Sequence, residues 1–385
     1  MNLDFTPEDR RFREEVRDWL HDNVPKEKEP EEGAALREYD LAWQRRQYEG
    51  GWAGISWPKE YGGRGLSTIE QLIWYEEGAK ANVPTAGCTF VGLYHGGPTL
   101  IVNGSEDQKS FHLPKILKGE AAWCQGFSEP GAGSDLASLS TRAVIDGEEL
   151  VVTGSKIWTS MAHLADYQEL LVRTDPESRR HGGITWVICD MKSPGITIRP
   201  IRYVTGEHHF NQVFYDEVRI PISNVVGQIN QGWKVAMSTL SFERGTAFTA
   251  TQIALVKSVD DLIERAKTKT GADGKPAFAD DEIGHRLAKL RAECMALRAL
   301  TYVSVARNMR REQPGPDGSI LKMMVGRLGQ EAARIRLAMA GPDAILLNDA
   351  SHGYFRSFAS TVAGGSDEIQ HNIVAERMLG LPKAV

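Results

Sequence analysis

Apolar positions change their spacing twice along the chain, and the changes mark three regions. Over about residues 1–120 they recur at helical intervals. Thr6-Pro7-Glu8 reads as a helix start, with Thr as N-cap and Pro at the first helical position, and Phe12, Val16, Trp19 and Leu20 follow at helical spacing. A turn-rich patch, Trp57-Pro58-Lys59-Glu60-Tyr61-Gly62-Gly63-Arg64-Gly65, interrupts this region before further helical segments run to about Leu117. Over about 121–229 the pattern shortens to β-rich runs at 142–145, 150–153, 170–173, 184–188, 196–198 and 213–215, parted by Gly, Asp, Pro and Ser. These predict a small antiparallel barrel or sandwich. Over about 230–385 helical spacing returns, with helices predicted at 231–268, 280–312, 318–340 and 366–379 and loops at 270–279 and 313–318. The expected fold class is α+β and multi-domain: a helical domain (1–120), a β-barrel or sandwich domain (121–229) and a helical bundle (230–385).

Composition narrows the function. Hydrophobic residues make up 41% and charged residues 25%, as in an ordinary globular chain. The net charge of −6 gives no electrostatic reason to expect nucleic acid or an anionic membrane. Cys88, Cys124, Cys189 and Cys294 form no CxxC pair and have no His at zinc spacing, so no metal site and a reducing, cytoplasmic setting are expected. The N-terminus is charged from the start, unlike a signal peptide, and no stretch approaches the ~20 apolar residues that span a bilayer.

Four segments carry candidate chemistry. Trp233, Ala236, Met237 and Leu240 make an apolar stripe that continues at Glu243, Arg244 and Ala247. Two charges thus occupy positions that ask for core. Either the stripe ends there, with both solvated or forming a structural ion pair, or Glu243 is a carboxylate in an apolar pocket, made more basic by burial. Phe127-Ser128-Glu129-Pro130-Gly131-Ala132-Gly133-Ser134-Asp135 is either a surface turn or a backbone that approaches a phosphate closely. Neither a Walker lysine nor GxGxxG is present, which disfavours a Rossmann site. Gly364-Gly365-Ser366-Asp367-Glu368-Ile369-Gln370 opens a helix that Ser366 can cap, with free N–H groups suited to an anion. Lys156-Ile157-Trp158-Thr159-Ser160 offers a Trp and hydroxyls to a flat cofactor, or simply a core Trp. His208-His209 lacks a third ligand and reads as a loop pair.

Together, in this order, the segments resemble the acyl-CoA dehydrogenase family. Residues 57–65 are similar to its WPxxYGGxG turn, 127–135 to its (T/S)EPxAGSD motif and 154–160 to its G-x-K-x-W-I-T/S segment. Residues 214–227, FYDEVRIPISNVVG, are similar to FxxVxVPxxNxxG, and 364–380 to the closing GG(T/S)xEIQ segment. The resemblance implies N-terminal helices, a middle β domain, a C-terminal four-helix bundle and FAD. By motif position, Gln125, Phe127 and Ser128 would meet the flavin ring, and Trp158, Thr159 and Ser160 would flank it. Gly133 and Ser134 would lie by the pyrophosphate, and Gly365, Ser366 and Glu368 would contact the rest of FAD. Ser134, Ser241, Phe242, Arg244 and Gly364 would line the acyl-CoA. Many members carry the catalytic Glu just before the last motif's G-T/S, but Gly364 stands there. Leu240-Ser241-Phe242-Glu243-Arg244 fits the other placement, that of isovaleryl- and long-chain-type members. The resemblance then implies that Glu243 takes the α-proton of the thioester, flavin N5 takes the β-hydride, and an electron-transfer flavoprotein reoxidises the enzyme.

Two family features are missing. The RxxFG stretch, whose Arg reaches a neighbour's FAD, reads Arg265-Ala266-Lys267-Thr268-Lys269, and Q-x-x-G-G is replaced by Ala338-Met339-Ala340-Gly341-Pro342. The expected assembly is therefore either a homo-oligomer with substitute contacts or a heteromer with a second acyl-CoA dehydrogenase-like chain, as in members acting on bulky acyl groups. An acyl-CoA oxidase, a flavin monooxygenase and a non-catalytic subunit are the alternatives.

Overall fold

In a computed structural model of the chain, residues 5–178, 180–243, 246–270, 274–308 and 316–383 are described, without the side chains of residues 243, 246–248 and 308. The chain divides into two compact units that do not follow chain order. One comprises residues 21–67 and 83–243; the other comprises 1–20, 68–82 and 244–385.

The first unit is built on a seven-stranded sheet. Its strands are β1 (Trp123–Gly126), β2 (Arg142–Asp146), β3 (Glu149–Ser160), β4 (Tyr167–Arg173), β5 (Ile184–Asp190), β6 (Ile196–Ile201) and β7 (Phe210–Pro221). Their order is β1-β4-β2-β3-β7-β6, with β5 on β4. The sheet is mixed where an antiparallel one was expected. The pairs β2–β3, β4–β5 and β6–β7 are antiparallel, as successive strands joined by reversing turns must be, but β1 and β2 run parallel to β4. The loop between β1 and β2 carries the chain away before it can pair back.

Strand alternation gives the sheet two apolar faces. Leu150, Val152, Leu170, Val172, Val187, Val213 and Ile220 meet on one face, so the sheet curls around its own side chains. On the other face Trp123, Phe127, Leu171, Trp186 and Ile188 pack with residues of the helices α4 (Gly97–Asn103), α5 (Glu106–Leu117) and α6 (Gly232–Glu243), and with Trp57. The helix α2 (Gly33–Glu49) also belongs to this unit. Trp57 donates its indole N–H to Leu93 O (2.9 Å), and the Gly62–Gly65 turn folds beside it because a Cβ on Gly63 would lie 2.3 Å from Trp57 O.

The second unit is helical. It contains α1 (Pro7–Asn23) as far as Leu20, α3 (Thr68–Ala81), α7 (Thr246–Thr268), α8 (Asp281–Asn308), α9 (Asp317–Ala340), α10 (Asp349–Ser357) and α11 (Asp367–Ile373). Thr6 caps α1 as expected, accepting from Asp9 N at 3.1 Å. Val259, Leu262, Leu287, Leu290, Leu297, Leu328 and Ile335 form the core of α7–α9. Glu76 and Glu77 of α3 are buried by apolar neighbours and held by cations. Arg13 reaches both at 2.8 and 2.7 Å, Lys80 and Arg17 reach Glu77, and Arg298 reaches Glu76. The helix predicted at 231–268 is two helices, α6 and α7, with residues 244 and 245 outside the described part. The helix predicted at 366–379 is α11 followed by a π-turn, Val374–Met378. No helix among the described residues is long and apolar enough to cross a membrane.

Candidate functional site

Two β-bulges shape the second half of β3. Its register against β7 shifts between Val152 and Gly154 and again between Lys156 and Thr159. Gly154 has φ +152°, and a Cβ there would lie 2.8 Å from the Thr141 backbone, so only glycine fits. At the second bulge Trp158 takes a left-handed φ of +60° and stands 55% exposed, edge-on to Phe210. A bulky residue in that conformation is strained, and such strain clusters at functional sites. Trp158 is therefore not the core Trp that its strand setting first suggests. Thr159, next to it, is fully buried, and its hydroxyl has no partner among the described residues. Ser160 is half-buried at the strand end.

The 127–135 segment lies against the same strand. Ile157 N donates to Ser128 O (2.9 Å), and the Lys156 ammonium donates to Phe127 O (3.0 Å) and to the Glu129 carboxylate (2.8 Å). Glu129 also accepts from Ser140 N, Ser140 Oγ and Thr141 N. Burial pushes the Glu129 carboxyl up, but Lys156 and these hydrogen bonds outweigh it and hold it at about 2. Glu129 and Ala132 exchange backbone hydrogen bonds at 3.0 Å, which closes the turn. Gly131 and Gly133 have neither positive φ nor any atom within 4 Å of an added Cβ. The fold does not demand glycine at either position, and together with exposed Ser134 they leave an open backbone edge. Phe127 is buried in the core, whereas Gln125 and Ser128 are half-buried.

A third group joins Gln125 to two residues that sequence reasoning did not single out, Glu169 and His95. Gln125 of β1 and Glu169 of β4 are register partners, and the Gln125 amide nitrogen donates to Glu169 Oε1 at 2.8 Å. His95 Nδ1 lies 3.3 Å from the same oxygen. The available signal was a charged residue inside the apolar strand Tyr167–Arg173.

On α6 the fully buried positions are Gly232, Val235, Ala236 and Thr239, while Trp233, Met237 and Leu240 are only partly covered. The expected stripe is thus turned by about one residue. Thr239 shares a buried hydroxyl hydrogen bond with Thr99 (2.9 Å), which fixes the helix. Ser241 and Phe242 are half-buried. Glu243 is the last residue of α6, but its side chain lies outside the described residues, as does all of Arg244.

The last motif belongs to the other unit. Gly364 (φ +65°) and Gly365 (φ +92°) turn the chain, and Gln370 donates to both their carbonyls at 3.1 and 3.3 Å. Ser366 caps α11 by accepting from Ile369 N at 3.5 Å. Asp367 pairs with buried Lys322 of α9, and Glu368 stays exposed.

The β3 segment fits a flat, polar-edged cofactor: an exposed indole in strained backbone beside a buried hydroxyl with no partner among the described residues. No group of His, Cys, Asp and Glu among the described residues could hold a metal.

The acyl-CoA dehydrogenase N-terminal, middle and C-terminal domain families match residues 6–120, 124–218 and 230–379. The chain is 38% identical to the acyl-CoA dehydrogenase IpdE1 of Mycobacterium tuberculosis, over 97% of each protein. Among solved structures it resembles a chain of the Tcur3481-Tcur3483 steroid ACAD, with a TM-score of 0.87 and 32% identity over 100% of both chains. It also resembles a chain of the ChsE4-ChsE5 complex from Mycobacterium tuberculosis, with a TM-score of 0.84 and 30% identity over 100% of both. The protein thus belongs to the acyl-CoA dehydrogenase family of FAD-dependent oxidoreductases.

Proposed function

We propose that this chain introduces a trans-2,3 double bond into an acyl-CoA thioester, with Glu243 as the base. The observation that carries the reading is the β3 cradle, where strained, exposed Trp158 stands beside the buried hydroxyl of Thr159, which has no partner among the described residues. FAD, when bound, supplies the acceptor for the hydride that leaves the β-carbon. Trp158, Thr159, Ser160, Gln125, Phe127 and Ser128 would hold its ring, with Gly133 and Ser134 near its pyrophosphate and the CoA. Gly365, Ser366 and Glu368 would contact its remainder, and Ser241, Phe242, Arg244 and Gly364 would border the substrate. Glu243 closes α6, four residues past Thr239 and seven past Ala236. A carboxylate held in an apolar pocket removes an α-proton more readily than a solvated one. The three-part organisation at 1–120, 121–229 and 230–385 belongs to the same reading.

Anaerobic titration with short, branched, long and steroid-like acyl-CoAs tests it. FAD absorbance should bleach in wild type and persist in Glu243→Gln that retains FAD. Equal bleaching in the variant would remove Glu243 from the mechanism.

A partner chain is the second part of the reading. Ile345, Leu346 and Leu347 are 90%, 57% and 63% exposed, and Phe355 and Phe358 are also exposed. Apolar surface on this scale marks an interaction face. It follows the segment 338–342 where the family's cross-subunit motif is replaced. A second acyl-CoA dehydrogenase-like chain is its proposed occupant, a ring-bearing acyl-CoA the proposed substrate and an electron-transfer flavoprotein the proposed acceptor. Native purification that yields one polypeptide with full activity would exclude the heteromer.

A further inference from the structure

The Gln125–Glu169–His95 group interrupts an otherwise apolar face. Trp123 in β1 and Phe127 just past its end flank Gln125 two residues to either side, Tyr167 and Leu171 flank Glu169 in the same way along β4, and all four pack into the same core. Strand geometry puts Gln125 and Glu169 on that side too. His95 arrives from a π-turn, Gly92–Gly96, a form found often at functional sites. Just past the turn the chain is pressed so close that a Cβ on Gly97, the first residue of α4, would lie 2.0 Å from the Trp57 ring. Glu169 is 0% and His95 4% exposed. Burying the His95 and Glu169 side chains where an apolar pair would pack costs free energy that only their polar contacts offset.

The chemistry of the contacts sets their direction. The amide nitrogen of Gln125 is drawn inward: it donates to Glu169 Oε1 at 2.8 Å and lies 3.3 Å from His95 Nδ1, which is itself 3.3 Å from that carboxyl oxygen. The amide oxygen of Gln125 then faces away from the pair. No donor among the described residues reaches it, and Gln125 alone of the three is not fully buried.

We propose that Glu169, braced by His95, is a positioning residue that locks Gln125 with its oxygen presented to the ligand, and that the ligand group received there is an N–H or O–H donor. The inference rests on the dehydrogenase reading above. The donor is either a hydroxyl on the acyl group or an N–H of the reduced flavin ring, and the test separates them.

Wild type, Glu169→Gln and Gln125→Leu are purified with FAD. Their flavin spectra, midpoint potentials and melting temperatures are measured. Dissociation constants follow for two ring-bearing 2-enoyl-CoAs that differ only by a ring hydroxyl. A substrate hydroxyl as donor predicts that both variants lose about tenfold in preference for the hydroxylated thioester, with the potential unchanged, as one hydrogen bond of about 1.4 kcal/mol requires. A flavin N–H as donor predicts a lower midpoint potential and a shifted spectrum in both variants, with the preference unchanged. Preference, spectrum and potential all equal to wild type, with only the melting temperature lowered, would make the group structural and overturn the proposal. Should Glu169→Gln not fold, Gln125→Met removes the amide at nearly constant length and gives the same reading. Wild type that holds FAD but is bleached by no thioester refutes the dehydrogenase reading instead, and the spectra and potentials still decide this one.

Discussion

Replacing Lys156 by methionine tests whether the buried pair with Glu129 anchors the 127–135 loop. The ammonium is fully buried and gives one hydrogen bond to Glu129 (2.8 Å) and one to Phe127 O (3.0 Å). Removing one partner of a buried pair costs about 3–5 kcal/mol, because the other charge stays desolvated. Glu129 keeps its donors at Ser140 and Thr141, which puts this component near ~3 kcal/mol. The lost bond to Phe127 O adds ~1 kcal/mol. A total of ~4 kcal/mol, at ~2 °C per kcal/mol for a domain of this size, lowers the melting temperature by roughly 8 °C. Glu129→Gln in the same chain should restore about half of that, since no unpaired charge remains. The pH dependence has a definite sign. In wild type the Glu129 carboxyl is held at about 2, below its ordinary 4.5, so its stabilisation is present above 4.5, up to about 8 where burial lets the Lys156 ammonium lose its proton, and is lost as pH falls through about 2. In the variant burial acts without the ammonium and the carboxyl moves up, so the deficit narrows between pH 7 and 5. The assay is thermal and urea unfolding at both pH values, with FAD content measured alongside. A Lys156→Met protein that melts within 1 °C of wild type (below ~0.5 kcal/mol by the same conversion) would refute the anchoring argument.

Three further outcomes are expected. Burial raises the Glu77 carboxyl, but Lys80, Arg13 and Arg17 together hold it at about 2, so Glu77→Gln should cost ~3 kcal/mol at pH 7 and progressively less as pH falls from 4.5 towards 2; urea midpoints that differ equally at pH 7 and pH 2.5 would contradict this. Gly154→Ala forces a Cβ to within 2.8 Å of the Thr141 backbone at φ +152° and should cost at least ~2 kcal/mol by thermal unfolding, with reduced FAD retention. Trp158→Gly relieves the left-handed backbone at +60° while losing the Phe210 contact, so apo-protein stability should stay within ~1 kcal/mol while FAD affinity falls; unchanged FAD affinity would exclude Trp158 from the site.

Periodicity was enough to find α1, most strands of the sheet and the helices α7–α9, because one-sided burial imposes a local repeat of 2 or 3.6 residues. It missed β1, a four-residue strand whose apolar run gives no alternation, and α10, which is short and polar. It also placed the α6 stripe one residue off, since Trp233, Met237 and Leu240 are apolar without being fully covered. The motifs marked the loop at 127–135 and the strand end at 156–160 as a candidate site, and named Glu243 from its place in a helix. What joins those two segments was not legible. Glu129 and Lys156 are 27 residues apart, and His95 and Glu169 are 74 apart. Such pairs depend on which strands become neighbours, and local spacing carries no record of that. By itself the sequence determined most of the elements, the family's ordered motifs and the cofactor class, all properties of contiguous residues. The tertiary structure alone decided the parallel pairing of β1 with β4, the bulge that turns Trp158 outward and the burial of Glu169 against His95. Each of these arises where segments distant in the chain compete for the same space, and packing and desolvation, which act across the fold, settle the outcome.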